Sequence, residues 1–182
     1  MKKRVPWLIA LLFMGLGVSA VVGLFESVVD ELPMIVAFQS LILGMAGNVG
    51  TQSLAVTVRT LGSDSEFGVR RQFFVVAKET RVALLNGLAL GLCSFVIVGA
   101  YLLLLGGYPT SVALTTAACV AAALWFAMTI SGFTGAAIPM CFYRFGIDPA
   151  VASGPLITTV NDLVAVVSYY GLAWALLLNF GR

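Results

Sequence analysis

The last apolar stretch of the chain, ITTVNDLVAVVSYYGLAWALLLNF at residues 157–180, decides the fold. A helix needs about 20 mostly apolar residues to cross the hydrocarbon core of a bilayer, and this stretch is long enough. Its one charged residue is Asp162. An ionised carboxylate near the bilayer centre costs at least about 2.5–3.5 kcal/mol, so residues of this kind usually belong to ion or proton pathways. The stretch therefore predicts a membrane-spanning helix with a functional aspartate.

The composition of the whole chain indicates an integral membrane protein. Of its 182 residues, 60% are apolar and 10% are charged, whereas a soluble domain carries about 25% charged residues. The absence of histidine removes the commonest transition-metal ligand and the commonest general base. The three cysteines have no CxxC spacing, and no phosphate-binding loop or hydrolase motif occurs. We therefore expect no enzyme, and the scattered basic residues give no nucleic-acid site.

Five apolar runs predict an all-α protein with five transmembrane helices in one domain, residues 1–182. The predicted helices cover residues 7–29, 33–61, 72–105, 110–143 and 149–180. Only short connections separate them, which leaves no room for a soluble domain between helices.

The positive charges predict the orientation. Five alternating helices put nine of the ten basic residues on one side: Lys2, Lys3, Arg4, Arg59, Arg70, Arg71, Lys78, Arg81 and Arg144. The positive-inside rule then gives a cytoplasmic N-terminus and an outside C-terminus in a multi-pass protein of the cell (inner) membrane. A cleavable signal peptide is the alternative for the first helix, but the apolar run continues past Ala20 and favours a retained helix.

The segment GMAGNVGTQS at residues 44–53 is unusually polar and glycine-rich for a membrane helix. Glycines allow close helix packing in lipid, and that interpretation is as good as a functional one for the glycines alone. Asn48 differs, because it lies about 22 Å along the helix from Pro33, close to the middle of a bilayer. A buried amide at that depth needs hydrogen-bonding partners or a wet cavity.

A second segment, DPAVASGPLITTVND at residues 148–162, carries the predicted carboxylate. Asp148 and Pro149 are typical of a helix start. Pro155 lies within the predicted helix, where it deletes one amide hydrogen bond, a loss that is tolerated in a membrane when the freed carbonyls meet neighbouring helices or line a cavity. Gly154, Thr158 and Asp162 recur every four residues and so share one face. Asp162 lies about 20 Å from Pro149, which matches the depth of Asn48.

An amide, a carboxylate, backbone carbonyls and water make an all-oxygen site that suits a hard cation. With one anionic ligand, such a site would hold magnesium through its water shell, loosely enough to release it. Two other interpretations of Asp162 remain open: a proton relay, and a protonated or hydrogen-bonded packing residue. For Glu79, between Lys78 and Arg81, spacing alone favours a solvated interfacial ion pair.

These same residues resemble the transmembrane domain of MgtE-type magnesium channels and transporters over nearly the whole chain. The resemblance rests on the segment at 44–53, the segment from Asp148 to Asp162, Pro6-Trp7-Leu8, Phe25-Glu26, Arg59 and Lys78-Glu79. It implies a homodimer of five-helix subunits with the ion path between them. It also implies that Asp162 binds hydrated Mg²⁺ with Asn48 and Gly44, that Gly154 and Thr158 contribute backbone oxygens, and that Glu79 is a further site residue.

The resemblance has one departure, because typical members carry a soluble N-terminal region with paired CBS modules that close the pore. We therefore expect residues 1–182 to form only the transmembrane pore domain, and a separate regulatory protein stays an open possibility. The expected function is passive conduction of Mg²⁺, with Mn²⁺, Co²⁺ and Ca²⁺ unranked as other cargo. A proton-coupled carrier that titrates Asp162 and a membrane scaffold without transport activity are the alternatives.

Overall fold

The computed structural model describes residues 5–26, 30, 34–63 and 68–179, without the side chains of residues 7, 150–153 and 177–179. Within these ranges the chain is helical and has no strand. The five helices are α1 Val5–Gly23, α2 Met34–Ser63, α3 Val69–Leu104, α4 Thr110–Arg144 and α5 Pro149–Ala173. A π-helical segment, Trp174–Asn179, continues α5. The prediction of an all-α protein with five helices is confirmed.

Four of the helices, α2 to α5, are long and apolar enough to cross a membrane, and α1 holds a shorter apolar stretch, Leu8–Gly23. The 36 residues of α3 correspond to a helix about 54 Å long. The hydrocarbon core of a bilayer is about 30 Å thick. This helix must therefore tilt or extend into the interfacial region.

One predicted helix end needs correction. Helix α1 ends at Gly23 rather than continuing toward residue 29, because Leu24 and Phe25 donate to carbonyls three residues back (3.1 and 3.0 Å), which tightens the chain into a turn. Helix α5 runs without interruption through Pro155, as predicted for a proline that lies within the helix. The predicted helix start at residue 33 and helix end at residue 180, together with Lys2, Lys3 and Arg4, lie outside the described residues.

Helix α4 forms the centre of the bundle and packs against α2, α3 and α5. Small residues make this possible. At the contact with α3, a Cβ on Gly87 would lie 3.1 Å from the carbonyl oxygen of Trp125, and a Cβ on Gly91 would lie 3.0 Å from that of Ala121. The GxxxG spacing of Gly87 and Gly91 therefore allows the two backbones to come close together.

Helix α5 packs against α2 and carries α1 on its outer side. Two buried tyrosines connect it to the start of α2: the Tyr169 hydroxyl donates to the carbonyl of Ile35 (2.8 Å), and the Tyr170 hydroxyl donates to Gln39 Oε1 (2.7 Å). The ring of Phe25, just after α1, stacks on Tyr170 with centroids 5.7 Å apart. These contacts fix α5 beside α2 at one end of the bundle.

Candidate functional site

The two motifs that the sequence singles out line one open groove between α2 and α5. The groove has a volume of about 340 Å³ and is lined by Leu43, Gly44, Gly47, Asn48, Thr51, Thr158 and Asp162. On α2, residues 44, 47, 48 and 51 follow the three- and four-residue spacing of one helix face. On α5, Thr158 and Asp162 are one turn apart. The structure thus brings Asn48 and Asp162 to the same groove, while their role as metal ligands stays a prediction.

The three glycines of the 44–53 segment serve different purposes. A Cβ on Gly44 or Gly47 would meet nothing within 4 Å, whereas a Cβ on Gly50 would collide with the Asn161 amide and the Ser131 hydroxyl. Helix packing therefore explains Gly50 alone. Within this chain Gly44 and Gly47 have no steric need to be glycine, and they leave the α2 backbone uncovered where it borders the groove.

The groove presents several oxygen atoms and a single charge. The side chains of Asn48 and Thr158 are exposed, and that of Asp162 is half-buried. The Thr158 hydroxyl donates to the carbonyl of Gly154 (3.2 Å), and the Thr51 hydroxyl donates to the carbonyls of Gly47 and Asn48 (both 3.0 Å). Since each hydroxyl proton is engaged by the helix backbone, each hydroxyl oxygen keeps lone pairs for an ion or its water.

The carboxylate of Asp162 has no hydrogen-bond donor and no basic partner among the described residues. Its neighbours are engaged elsewhere: Asn161 contacts Thr134, and the Thr159 hydroxyl donates to the carbonyl of Pro155 (3.1 Å). The interpretation of Asp162 as a residue hydrogen-bonded to Asn161, Thr158 or Thr159 for packing is therefore not supported. An unpaired carboxylate on a groove wall is available to a mobile cation.

The charge of the groove matches weak rather than tight metal binding. Across the part of the chain that the structure describes, no three His, Cys, Asp or Glu side chains come together. One carboxylate with neutral amide, hydroxyl and backbone oxygens suits a hard cation that keeps most of its water. Such a site can bind an ion and release it, which conduction requires.

Two predicted site residues do not line this groove. Gly154 is half-buried one turn before Thr158, close to the Leu54 side chain, and its carbonyl accepts the Thr158 hydroxyl. Glu79 lines a separate cavity of about 580 Å³ near Arg70, Arg71 and Lys78 at the start of α3, with Val56 and Thr60 of α2 on its other side. The Glu79 side chain is only 7% exposed, so the expectation of a solvated surface ion pair is wrong. An ion that leaves the groove would have to move along α2 to reach it.

Behind the groove lies a set of buried polar contacts that our sequence analysis did not identify. The Ser131 hydroxyl of α4 donates to the carbonyl of Ala46 on α2. One turn along α4, the Thr134 hydroxyl donates to Asn161 Oδ1 of α5 at 2.9 Å. Ser131 and Asn161 are both fully buried. One feature of the sequence could have indicated these contacts, namely that Asn161 directly precedes Asp162. Adjacent side chains on a helix point about 100° apart, so that only one of the two can face the groove.

Comparison with known proteins identifies the family to which both walls of the groove belong. The sequence profile of MgtE, described as a divalent cation transporter, matches residues 39–172. That range includes both walls of the groove.

Three curated relatives, each named magnesium transporter MgtE, align with almost the whole chain. The protein of Enterococcus faecalis is 39% identical over 175 residues, and that of Bacillus subtilis is 34% identical over 173 residues. The Thermus thermophilus protein is 32% identical over 174 residues. These alignments cover 94%, 95% and 96% of the chain respectively, and 36% of each relative's length. The chain therefore belongs to the MgtE family of divalent cation transporters.

Proposed function

We propose that this chain provides a path for magnesium across the membrane. The observation that carries the proposal is the groove between α2 and α5, where Asn48, Thr158 and the unpaired Asp162 meet on two apolar helices. The names of the three relatives support magnesium as the cargo. Mn²⁺, Co²⁺ and Ca²⁺ are further candidates, because the same oxygen ligands accept them.

The size of the groove fits an ion that keeps its water. Magnesium prefers octahedral coordination and dehydrates reluctantly. Six waters at about 30 Å³ each occupy roughly 180 Å³, which is well below the groove volume of about 340 Å³. We infer that Asp162 attracts the hydrated ion by charge, while Asn48, Thr158 and the open backbone at Gly44 bond to its water shell. Gly154 would act indirectly by orienting the Thr158 hydroxyl.

A second copy of the chain would close the groove. The α2–α5 groove is open on one side, and a path through a bilayer must be lined on all sides to keep ions from lipid. We infer a homodimer in which two grooves face each other, so that two Asp162 carboxylates lie beside one path. The uncovered backbone at Gly44 and Gly47 supports this arrangement, because it allows close approach of a partner helix or of the ion.

We infer that the protein lies in the inner cell membrane and that the basic end of its helix bundle faces the cytoplasm. Arg70, Arg71 and Lys78 border the cavity that holds Glu79, and Arg144 donates from its Nε to Gln72 Oε1 (3.0 Å) at the same end. The positive-inside rule then orients the chain as predicted. Glu79 would be a later stop for an ion that moves inward.

Passive movement down the electrochemical gradient is the mechanism we favour. The sequence has no phosphate-binding loop motif, and one weak site per subunit would release its ion readily. A proton-coupled carrier is the second candidate, because an unpaired Asp162 is also free to exchange a proton with water in the groove.

The test is magnesium uptake into vesicles that contain the purified full chain and a fluorescent magnesium indicator. The variant Asp162→Asn keeps the size of the side chain and removes its charge. We expect the initial rate to fall at least about tenfold, the effect of a loss of about 1.4 kcal/mol in ion interaction. The matched control is Glu26→Gln, because Glu26 is an exposed carboxylate outside the groove.

The outcomes separate the candidate functions. Uptake at the wild-type rate by Asp162→Asn would exclude the groove as the ion path. Wild-type vesicles that behave like protein-free vesicles would indicate a scaffold without transport activity. Uptake that stops when the proton gradient is dissipated at constant membrane potential would favour the carrier.

A further inference from the structure

We propose that Ser131, Thr134 and Asn161, here called the polar cluster, determine ion selectivity by fixing the rotation of α5. This inference rests on the proposed function, and none of the three residues touches the groove. The cluster connects the two walls from behind. Ser131 binds the backbone of α2 two residues before Asn48, and Thr134 binds the side chain that immediately precedes Asp162.

The cluster joins three helices through one short stretch of α4. The Ser131 hydroxyl donates to the carbonyl of Ala46, and the Thr134 hydroxyl is 2.9 Å from Asn161 Oδ1 and 3.0 Å from the carbonyl of Ser131. A hydroxyl has one proton, so Thr134 shares it between these two acceptors. The Asn161 side chain is thereby held at a fixed position relative to the backbone of α4, and Ser131 holds α4 in turn to the backbone of α2.

Close packing around the cluster restricts the rotation of α5. A Cβ at Gly50 would collide with both the Asn161 amide and the Ser131 hydroxyl, and a Cβ at Gly135 would collide with the carbonyl of Gly50. Polar side chains packed against bare backbone have few alternative positions. A rotation of α5 would therefore drive the Asn161 amide into α2 or separate it from Thr134.

The chemistry of Asn161 indicates a positional role rather than a stabilising one. Its Nδ2 atom is buried and has no hydrogen-bond partner in the structure. A buried donor without an acceptor is unfavourable, and an apolar side chain of the same size would avoid that penalty. Buried polar contacts that do not improve stability can instead favour one arrangement of helices over others.

Small rotations are large on the scale of ion recognition. Side-chain tips lie about 5–6 Å from a helix axis, so turning α5 by roughly 5° moves the Asp162 carboxylate by about 0.5 Å. That distance is close to the difference between Mg–O distances of about 2.0–2.1 Å and Ca–O distances of about 2.3–2.6 Å. Loss of the cluster should therefore lower discrimination between these ions before it abolishes transport.

Two variants on different helices test the proposal in the full chain. Thr134→Val removes the hydroxyl at constant size, and Asn161→Leu removes the amide together with its unpartnered donor. The control is Thr129→Val on α4, whose hydroxyl donates to the carbonyl of Trp125 (2.7 Å) and has no part in the cluster. Thr134→Ser, which restores the hydroxyl, should recover the wild-type behaviour.

The first measurement is the ratio of Mg²⁺ to Ca²⁺ uptake rates in vesicles. We expect this ratio to fall about three- to tenfold in Thr134→Val and Asn161→Leu, as for the loss of one positioning hydrogen bond. The thermal unfolding temperature of Asn161→Leu should not fall. An unchanged ratio in both variants, or a lower unfolding temperature with an unchanged ratio, would reduce the cluster to a structural contact.

The second measurement needs no transport, which keeps it independent of the proposed function. Thr158→Cys on the groove wall, with the exposed Cys93 and Cys141 replaced by serine, reports the rotation of α5 through its reaction rate with a water-soluble thiol reagent. We expect Asn161→Leu or Thr134→Val to change that rate severalfold and Thr129→Val to leave it unchanged. Equal rates in all variants would overturn the proposal. Altered rates together with an absence of wild-type uptake would refute magnesium transport, and selectivity with it, but would support the fixed rotation of α5.

Discussion

Alanine at Gly50 should leave the chain less stable than alanine at Gly47, although the two glycines are one turn apart on α2. In a helix interior, Gly→Ala stabilises by about 1 kcal/mol, because alanine has the higher helix propensity. Both substitutions gain this contribution. They differ in what the new methyl group meets, which is open space at Gly47 and the Asn161 amide with the Ser131 hydroxyl at Gly50.

The magnitude follows from that difference. Forcing a methyl group into a filled site costs about 1–3 kcal/mol, and the propensity gain cancels between the two variants. Gly50→Ala should therefore be less stable than Gly47→Ala by about 1–3 kcal/mol. For a chain of this size each kcal/mol corresponds to about 2–4 °C in unfolding temperature.

The assay is thermal unfolding of the purified chain in one detergent, followed by tryptophan fluorescence. Gly62→Ala, on the same helix but outside the groove that a partner subunit would close, serves as a second control, since its methyl group would also meet nothing within 4 Å. If Gly50→Ala unfolds at the same temperature as the two controls, the close contact of α2 with α4 and α5 is wrong. In that case the argument for a fixed rotation of α5 fails with it.

Three further predictions use the same purified protein. Asn48→Leu should reduce Mg²⁺ uptake severalfold and leave the unfolding temperature unchanged, because the exposed Asn48 side chain lines the groove; a large loss of stability would instead make Asn48 a packing residue. Tyr169→Phe should lower the free energy of unfolding by about 0.5–1.5 kcal/mol, since it loses the hydrogen bond to the carbonyl of Ile35. Thermal unfolding measures this, and an unchanged unfolding temperature would mean that this hydrogen bond does not stabilise the contact between α5 and α2. Glu79→Gln should slow uptake less than Asp162→Asn does, because Glu79 lies in a separate cavity; an equal or larger loss in the same vesicle assay would make Glu79 the main ion site.

The fold could be predicted from the sequence because a bilayer imposes simple rules. Runs of apolar residues longer than the hydrocarbon core have few alternatives to a helix. The ends were harder, since helix termination depends on local turns such as the one after Gly23. The continuation of α5 through Pro155, by contrast, agrees with the predicted helix. A missing amide donor weakens a helix, but neighbouring helices decide whether it breaks.

The groove itself could be anticipated in part. Depth along two antiparallel helices suggested that Asn48 and Asp162 are close, because helix rise is regular. Spacing could not tell which glycine packs against another helix, because Gly47 and Gly50 are only one turn apart on α2. The positions of α4 and α5 decide that it is Gly50. Nor could it place the Glu79 side chain, because its burial depends on which face of α3 meets α2 and α4.

Two differently packed faces of α2 explain how the proposed open ion site can lie beside a closely packed core. The buried face carries Ala46, Gly50, Ser53 and Thr57, all small residues that allow α4 to come close. A neighbouring face carries the residues that line the groove. Because the buried face is packed to the backbone, we expect α2 to keep its position and the proposed ligands on the groove face to keep their spacing. An ion that retains its water must be recognised by distances rather than by direct bonds, so the rigidity of the buried face is what would make selectivity at the open face possible.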